Sequence, residues 1–211
     1  MIDGTCHELC LCSLVWNNDE CIGDTACSAD SGGSVISVSD DGVESLVGII
    51  MKGWPSCSGS SDTPVISDVA EVREWIDEQM GSDSLSTEEN VAGDLEISET
   101  PFKVGFLWFE LEDPSVIPLT FCGGAIISEW WVLTASHCLR NSLTGIGHFR
   151  IAVGQVFKSI ANRFGHEKIH NIALEVHHSR YIEDENLFNI ALVQVATRIE
   201  FIRSTDCIAI L

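Results

Sequence analysis

Positive charge is scarce in this sequence. Its 211 residues include 11 Lys and Arg against 32 Asp and Glu, a formal net charge of −21. The shortage is greatest in residues 1–100, which hold 21 acidic and 2 basic side chains, whereas residues 101–211 hold 11 and 9. Nucleic acids and anionic membrane surfaces attract clustered Lys and Arg. The composition therefore argues against both as partners.

Long hydrophobic runs are also missing. The longest, Leu46–Met51 and Gly124–Ser128 among them, fall far below the roughly 20 residues that a membrane-spanning helix needs. The first residues, MIDGTCHELCLCS, have neither the basic start nor the long apolar centre of a signal peptide. We therefore expect no membrane association, and the sequence shows no secretion signal.

Cysteine, by contrast, is plentiful. Nine cysteines favour an oxidising, extracellular location over the cytosol, and the odd number leaves at least one thiol free or intermolecular. Zinc is an alternative for the cysteines that crowd His7, but no second paired cluster of the usual spacing follows them. We expect no metal and no other cofactor. The sequence leaves open the pairing of five cysteines: Cys6, Cys10, Cys12, Cys21 and Cys207.

The most informative segment is 121–138, FCGGAIISEWWVLTASHC. It predicts two buried strands that end in His137, and Cys122 and Cys138 are close enough in sequence to be bridged across the hairpin. An imidazole held by such a bridge suits a general base. A lone histidine is more often structural. This segment, however, closely resembles the histidine segment of chymotrypsin/trypsin-like serine proteases, with Cys-Gly-Gly, Trp-Val-Leu-Thr-Ala and His-Cys all in register.

A second motif lies near the start of the chain, Cys27-Ser-Ala-Asp-Ser-Gly-Gly33. Two glycines after Ser31 permit a tight turn with an exposed hydroxyl and convergent N–H groups. Strand patterns at Val35–Val38 and Leu46–Met51 follow it, then a turn at Gly53–Cys57. A helical face follows in turn, formed by Val69, Val72, Trp75 and Ile76. This order resembles the last part of the same protease family.

The resemblance implies a role for each matching residue. Ser31 would be the nucleophile, His137 the base, and the N–H groups of Ala29 and Ser31 the oxyanion hole. Thr25 and Gly53 would line the specificity pocket, where Thr25 gives no support for cleavage after Lys or Arg. Asp30 would be the acid that receives the new N-terminus after activation. Cys27–Cys57 would be a second disulfide.

Asn189 occupies the position of the family's triad Asp, in Leu187-Phe-Asn-Ile-Ala-Leu. A carboxylate there would accept a proton from His137 and stabilise the imidazolium. A carboxamide can present its NH₂ group instead, which favours the wrong imidazole tautomer. The resemblance therefore implies impaired catalysis.

The second half of the chain predicts six short strands, at about 103–109, 121–127, 131–135, 149–154, 171–177 and 190–195, as in a small antiparallel barrel. His166, His170, His177 and His178 are interpreted as loop and strand-end residues and not as metal ligands. With the resemblance, the fold class is all-β: two trypsin-like antiparallel barrels, the second incomplete, with one helix near residues 69–79.

The resemblance covers nearly the whole chain in reversed order. Residues 1–80 match the end of a protease domain, residues 81–100 form an acidic linker, and residues 101–211 match the beginning of a domain. The chain is either a slice through tandem domains or a permuted pair of barrels. The implied function is a serine endopeptidase impaired by Asn189, acting on a polypeptide or bound by a protease inhibitor. The alternatives are an inactive homologue that binds or regulates, and an incomplete fragment.

Overall fold

The computed structural model describes residues 14–17, 20–22, 31–52, 65–81, 101–110, 119–144, 147–153, 168–183, 185, 187–201 and 208–210. In these ranges the protein consists mainly of β-strands, with one short α-helix. The strands form an open sheet and a closed six-stranded barrel. The predicted fold class, two trypsin-like barrels of which the second is incomplete, is confirmed.

The open sheet is built mostly from the first part of the chain. Its strands there are β1 (Leu14–Asn17), β2 (Glu20–Ile22), β3 (Ser34–Val38), β4 (Glu44–Lys52) and β5 (Val65–Asp68). β4 pairs antiparallel with both β3 and β5, and β1 forms an antiparallel hairpin with β2. β1 also pairs with β3 in parallel, whereas the sequence predicted antiparallel barrels.

One helix packs beside this sheet. A 3₁₀ segment (Ala70–Val72) leads into α1 (Arg73–Met80). Val72, Ile76 and Met80 recur at every fourth position and are buried, so they form the apolar stripe that holds the helix in place. Gly81 ends the helix with a positive φ of 58°, which favours glycine, and donates its N–H to the Asp77 carbonyl at 3.1 Å. The predicted helix is confirmed.

The closed barrel follows in the chain. Its strands are β6 (Lys103–Glu110), β7 (Leu119–Ile126), β8 (Trp131–Thr134), β9 (Gly147–Val153), β10 (Lys168–His177) and β11 (Ala191–Val195). They close in the order β10-β11-β8-β7-β6-β9, and every pair is antiparallel. The six predicted strands match these within a few residues. His170 lies within β10 and not in a loop or at a strand end, which corrects that part of the interpretation.

A last strand, β12 (Ala209–Ile210), belongs to the open sheet although it follows the barrel in sequence. It pairs in parallel with β4 at Ser45 and Leu46. One residue earlier, Ile208 donates its N–H to Ile126 of the barrel at 3.0 Å. The end of the described chain therefore connects the two sheets directly.

The barrel and the sheet share one hydrophobic core. Phe106, Leu133 and Ile151 of the barrel belong to the same buried cluster as Ile49 of β4 and Ile76 of α1. Side chains of this size each contribute about 1.5–3 kcal/mol when fully buried. The two structures are therefore held together by packing as well as by hydrogen bonds. No helix in the described ranges is long and apolar enough to cross a bilayer.

Candidate active site

Ser31 lies at the contact between the open sheet and the barrel. Its residue is 8% exposed, and its carbonyl accepts the N–H of Gly123, in β7, at 2.8 Å. The next residue, Gly32, donates its N–H to the Ile50 carbonyl of β4 at 2.7 Å. The turn before β3 is thus bonded to both sheets, and Ser31 is fixed against the barrel.

Gly32 makes this contact possible. Its φ of 80° is a left-handed conformation that favours glycine. A Cβ atom at this position would lie 2.4 Å from the Gly123 carbonyl oxygen, 2.5 Å from Thr134 Oγ1 and 3.2 Å from Cys138 Sγ. The serine turn therefore approaches the backbone of the barrel as closely as a residue without a side chain can.

The barrel side of the contact is held by a disulfide and a hydroxyl. Cys122 and Cys138 are bonded to each other, as the sequence predicted. Thr134 Oγ1 donates to the Gly123 carbonyl at 2.7 Å, and both residues are buried. These bonds join β7 to the turn that follows β8, so the backbone around His137 is fixed on the same surface that receives Gly32.

His137 is bonded to Asn189 through its backbone and its ring. Its N–H donates to Asn189 Oδ1 at 3.0 Å, and its Nδ1 lies 2.9 Å from Asn189 Nδ2 and 3.2 Å from Oδ1. Asn189 is fully buried. Burial lowers the pKa of His137, and the hydrogen bond to Asn189 opposes this only in part. Burial therefore favours the neutral imidazole.

The amide orientation decides which ring nitrogen carries the proton. The backbone N–H of His137 requires an oxygen at its acceptor, so Asn189 must point Oδ1 toward it and Nδ2 toward Nδ1. The nearer atom, Nδ2 at 2.9 Å, is a donor only and pairs with an accepting Nδ1 and a proton on Nε2, whereas Oδ1 at 3.2 Å would pair with a proton on Nδ1. The shorter distance favours the tautomer with the proton on Nε2. Nε2 lies 3.7 Å from Cys138 Sγ, a weak acceptor, which agrees with this assignment.

This tautomer differs from the one that a general base requires. A base acting on Ser31 would need a free lone pair on Nε2 and a proton on Nδ1. Among the residues that the structure describes, no hydrogen bond joins Ser31 Oγ to His137. Nε2 instead faces Cys138 Sγ, which lies against Gly32 of the serine turn.

Ser136 is a residue of the candidate site that the sequence did not predict. Its hydroxyl is buried and donates to the Ile190 carbonyl at 2.6 Å. This bond joins the residue before His137 to the residue after Asn189, so it runs beside the His137–Asn189 contact. A hydroxyl directly before the histidine, in Thr-Ala-Ser-His, was the available signal.

Several predicted site residues lie outside the described residues. They are the oxyanion-hole candidate Ala29, the pocket candidates Thr25 and Gly53, the acid Asp30, and the pair Cys27 and Cys57. Of the predicted residues that are described, the structure brings His137 and Asn189 into contact. It also places Ser31 at the barrel surface next to the Cys122–Cys138 disulfide.

One group of potential metal ligands falls at this site. The ligand atoms of Cys122, His137 and Cys138 lie within 4.8 Å of one another. Zinc binds cysteine as a thiolate. Because the two sulfur atoms share a bond, they are not thiolates in this covalent state, and the group does not form a metal site.

The barrel, the incomplete sheet packed on it and the histidine next to their contact define a class of protein, the two-barrel β proteins of the trypsin-like type. The sequence model that describes the trypsin family matches residues 98–210, just over half of the chain. The chain belongs to the trypsin family. The match covers all six barrel strands and β12.

Individual relatives agree with this family. Serine protease 28 of Mus musculus is 28% identical over 95 residues, which are 45% of this chain and 32% of that protein. Trypsin of Phaedon cochleariae is 30% identical over 84 residues, 40% of this chain and 31% of that protein. Clotting factor C of Tachypleus tridentatus is 32% identical over 81 residues, 36% of this chain and 8% of that protein. The chain spans about a third or less of each of these relatives.

Proposed function

We propose that the chain carries the centre of a serine endopeptidase that is impaired by an amide at the acid position. Ser31 is the nucleophile, His137 the base and Asn189 the residue that orients the base. The observation that carries the proposal is the contact between the sheets. The Ser31 carbonyl accepts the Gly123 N–H, and Gly32 lies against Cys138, the neighbour of His137.

The reaction is acyl transfer. Ser31 Oγ attacks the carbonyl carbon of a peptide bond while its proton moves to Nε2 of His137. The same proton then passes to the leaving amine, the C–N bond breaks, and water hydrolyses the acyl-enzyme by the reverse sequence. The negative charge on the carbonyl oxygen is stabilised by the N–H groups of Ala29 and Ser31.

Asn189 limits this chemistry in two ways. Its Nδ2 faces Nδ1 of His137 at 2.9 Å, nearer than Oδ1 at 3.2 Å, and so favours the tautomer with the proton on Nε2. It also carries no charge, so it does not stabilise the imidazolium that forms during the attack. In triads of this family, the exchange of Asp for Asn is known to lower kcat about 10⁴-fold, with the activity due to binding and the oxyanion hole remaining.

The rest of the predicted site belongs to the same proposal. Thr25 and Gly53 line the specificity pocket, and the absence of a carboxylate at Thr25 removes the usual preference for Lys and Arg. Asp30 would pair with a newly cut N-terminus. The segment Asn90-Val-Ala-Gly-Asp94 loosely resembles the mature N-terminus of the family, which would begin at Val91. However, no Lys or Arg lies between Arg73 and Lys103, so a trypsin-like cut cannot free Val91.

The domain organisation is also part of the proposal. Residues 1–80 are the nucleophile-bearing portion of one protease domain, residues 81–100 a linker, and residues 101–211 the histidine-bearing barrel of another domain. The two portions dock as in a single enzyme. Nine cysteines and the Cys122–Cys138 disulfide support a secreted protein that meets polypeptide substrates or inhibitors.

Labelling with a fluorophosphonate tests the proposal. We expect slow labelling of the wild-type chain at Ser31 and labelling about 10³–10⁴-fold faster in Asn189→Asp, because the carboxylate restores the basic tautomer. Peptide mapping identifies the labelled residue, and Ser31→Ala is the matched control that must not react. Failure of both the wild type and Asn189→Asp to react would refute the proposal.

The second candidate is a catalytically silent homologue that binds or regulates other proteins. The observation that favours it is the pair of contacts of the His137 ring, Asn189 Nδ2 at Nδ1 and Cys138 Sγ at Nε2, which together favour a proton on Nε2. A folded chain that binds a protease inhibitor without labelling supports this function. A third possibility, an incomplete fragment, predicts no cooperative thermal transition.

A further inference from the structure

The residues on either side of Asn189 are both in contact with His178, one through its ring and the other through its backbone. The residue before it, Phe188, stacks its ring on the His178 ring, with centroids 4.8 Å apart and planes at 9°. The residue after it, Ile190, accepts the His178 backbone N–H at 3.1 Å. His178 therefore contacts both neighbours of Asn189.

His178 also reaches the helix that belongs to the other half of the chain. Trp75, in α1, meets the His178 ring edge-on, with centroids 4.8 Å apart and planes at 65°. His178 is 8% exposed, so this contact is buried. The ring thus lies between the helix and the segment that carries Asn189.

Phe188 depends on this stacking. It is the one residue other than glycine with a positive φ in the described ranges, at 50°. A bulky side chain is strained in that conformation and persists there only where its surroundings hold it. The surroundings are His178 on the ring and the Arg180 guanidinium, whose Cζ lies 4.0 Å from the ring centroid.

The protonation state of His178 is fixed by the turn that follows it. Its Nδ1 accepts the Arg180 N–H at 3.2 Å, so the ring is neutral with its proton on Nε2. Burial, and then the Arg180 charge, lower the pKa of His178. Among the described residues, Arg180 is the charged residue that shifts the pKa of His178. The other residues in contact with His178 are uncharged: Trp75 of α1, and Phe188 and Ile190 beside Asn189.

We propose that His178 is a positioning residue: by holding Phe188 and Ile190 it fixes Asn189 against His137, and through Trp75 it makes this geometry depend on the docking of α1. The inference rests on the proposed function in giving Asn189 a role in the reaction. The coupling of His178 to the Asn189–His137 contact can be tested without measuring enzymatic activity.

The test uses the full chain and nitrogen-15 NMR of the histidine rings, which distinguishes the tautomers. We expect His178→Ala to change the ratio of the two His137 tautomers, with less Nε2–H than in the wild type, because Phe188 loses its stacking partner. His178→Phe retains an aromatic ring and should restore the wild-type signals. The matched control is His177→Ala, since His177 is the exposed neighbour that stacks on Tyr181.

A second variant tests the same contact in case His178→Ala does not fold. Phe188→Ala removes the stack and leaves the His178 backbone bond to Ile190, so it should change the His137 tautomer ratio in the same direction. Trp75→Ala, in the other half of the chain, should give a smaller shift in the same direction. Wild-type His137 signals in folded His178→Ala or in folded Phe188→Ala would overturn the proposal.

A pH titration separates positioning from general support of the fold. Protonation of His178 removes the acceptor of the Arg180 N–H and places a cation beside the guanidinium. We expect the Asn189 side-chain amide signals of the wild type to move with the His178 titration. His178→Phe should lose that transition while keeping the one that belongs to His137.

Activity gives the last readout. In the Asn189→Asp background, His178→Ala should lower kcat about 10–100-fold with little change in KM, as expected for a misplaced catalytic group. His177→Ala should have no effect. If Asn189→Asp does not label at Ser31, the proposed function fails, and the NMR result still decides whether His178 positions residue 189.

Discussion

The closed barrel and the open sheet differ in how their strands are held. Each barrel strand pairs with a neighbour on both sides, and all six come from the continuous stretch 103–195. The open sheet has edges at β2 and at β5 and β12, and it takes β12 from beyond the barrel. The barrel is therefore complete in its own hydrogen bonding, whereas the sheet depends on segments that are far apart in sequence.

The difference explains where the candidate active site lies. His137 and Asn189 are both anchored in the barrel, by bonds whose partners are also barrel residues. Ser31 comes from the open sheet and is fixed to the barrel by one backbone bond and the close approach of Gly32. The proposed base and the residue proposed to orient it are thus bonded to each other within the barrel half, and the proposed nucleophile is held by the docking of the open sheet on the barrel.

Gly32→Ala should have the largest effect on stability, because it disrupts the contact between the open sheet and the barrel. The new Cβ would overlap the Gly123 carbonyl and Thr134 Oγ1. We expect a loss of about 4 kcal/mol in the free energy of unfolding, measured by chemical denaturation.

Gly42→Ala is the matched control for this substitution. Gly42 has a similar φ of 84°, but no atom lies within 4 Å of its added Cβ. We expect a loss of about 1–2 kcal/mol from the backbone conformation alone. Equal losses in the two variants would show that the close approach of the serine turn does not hold the sheet to the barrel.

Removal of the disulfide should have the next largest effect. The double substitution Cys122→Ala and Cys138→Ala frees a loop with a sequence separation of 16 residues. A loop of this size predicts a loss of about 3 kcal/mol. Chemical denaturation of the wild type and of the variant under the same non-reducing conditions measures the loss, and equal stabilities would contradict the prediction.

Much of the barrel could be predicted from sequence for a physical reason. Its strands are four to ten residues long with buried, β-branched or aromatic side chains, and short turns separate several of them. The pattern is local, so it is visible in the sequence. The Cys122–Cys138 bridge and the neighbourhood of His137 followed from the same local pattern and the family resemblance.

The strands that were missed are those that local pattern does not specify. β1, β2, β5 and β12 have two to four residues each, too few to show an alternating pattern, and β12 pairs with β4 from the other half of the chain. The contacts of Ser136 and His178 with Ile190 were missed for a similar reason. They depend on which carbonyl lies opposite each donor, and only the tertiary structure determines that.

Arg73→Met tests the dependence of the sheet on distant segments. Arg73 Nη1 donates to the Ile210 carbonyl of β12 at 2.8 Å from the first turn of α1. Loss of this bond should lower the free energy of unfolding by about 1 kcal/mol and accelerate amide exchange in β12. The control is Arg198→Met, which breaks an exposed pair with Glu129 and should change stability very little.

Acidification should have the smallest effect on the free energy of unfolding. It should act through His137 and His178, which belong to the half of the chain that forms the barrel. The pKa values of His137 and His178 are both lowered from 6.5 by burial, so below that pH the unfolded chain binds protons that the folded protein does not. The free energy of unfolding should therefore fall as pH is lowered from about 7.5 to about 5.5. Denaturation across this range measures the slope, and His178→Phe should reduce it. A stability that rises on acidification, or a slope unchanged in His178→Phe, would contradict the assignment of a neutral, buried imidazole at His178.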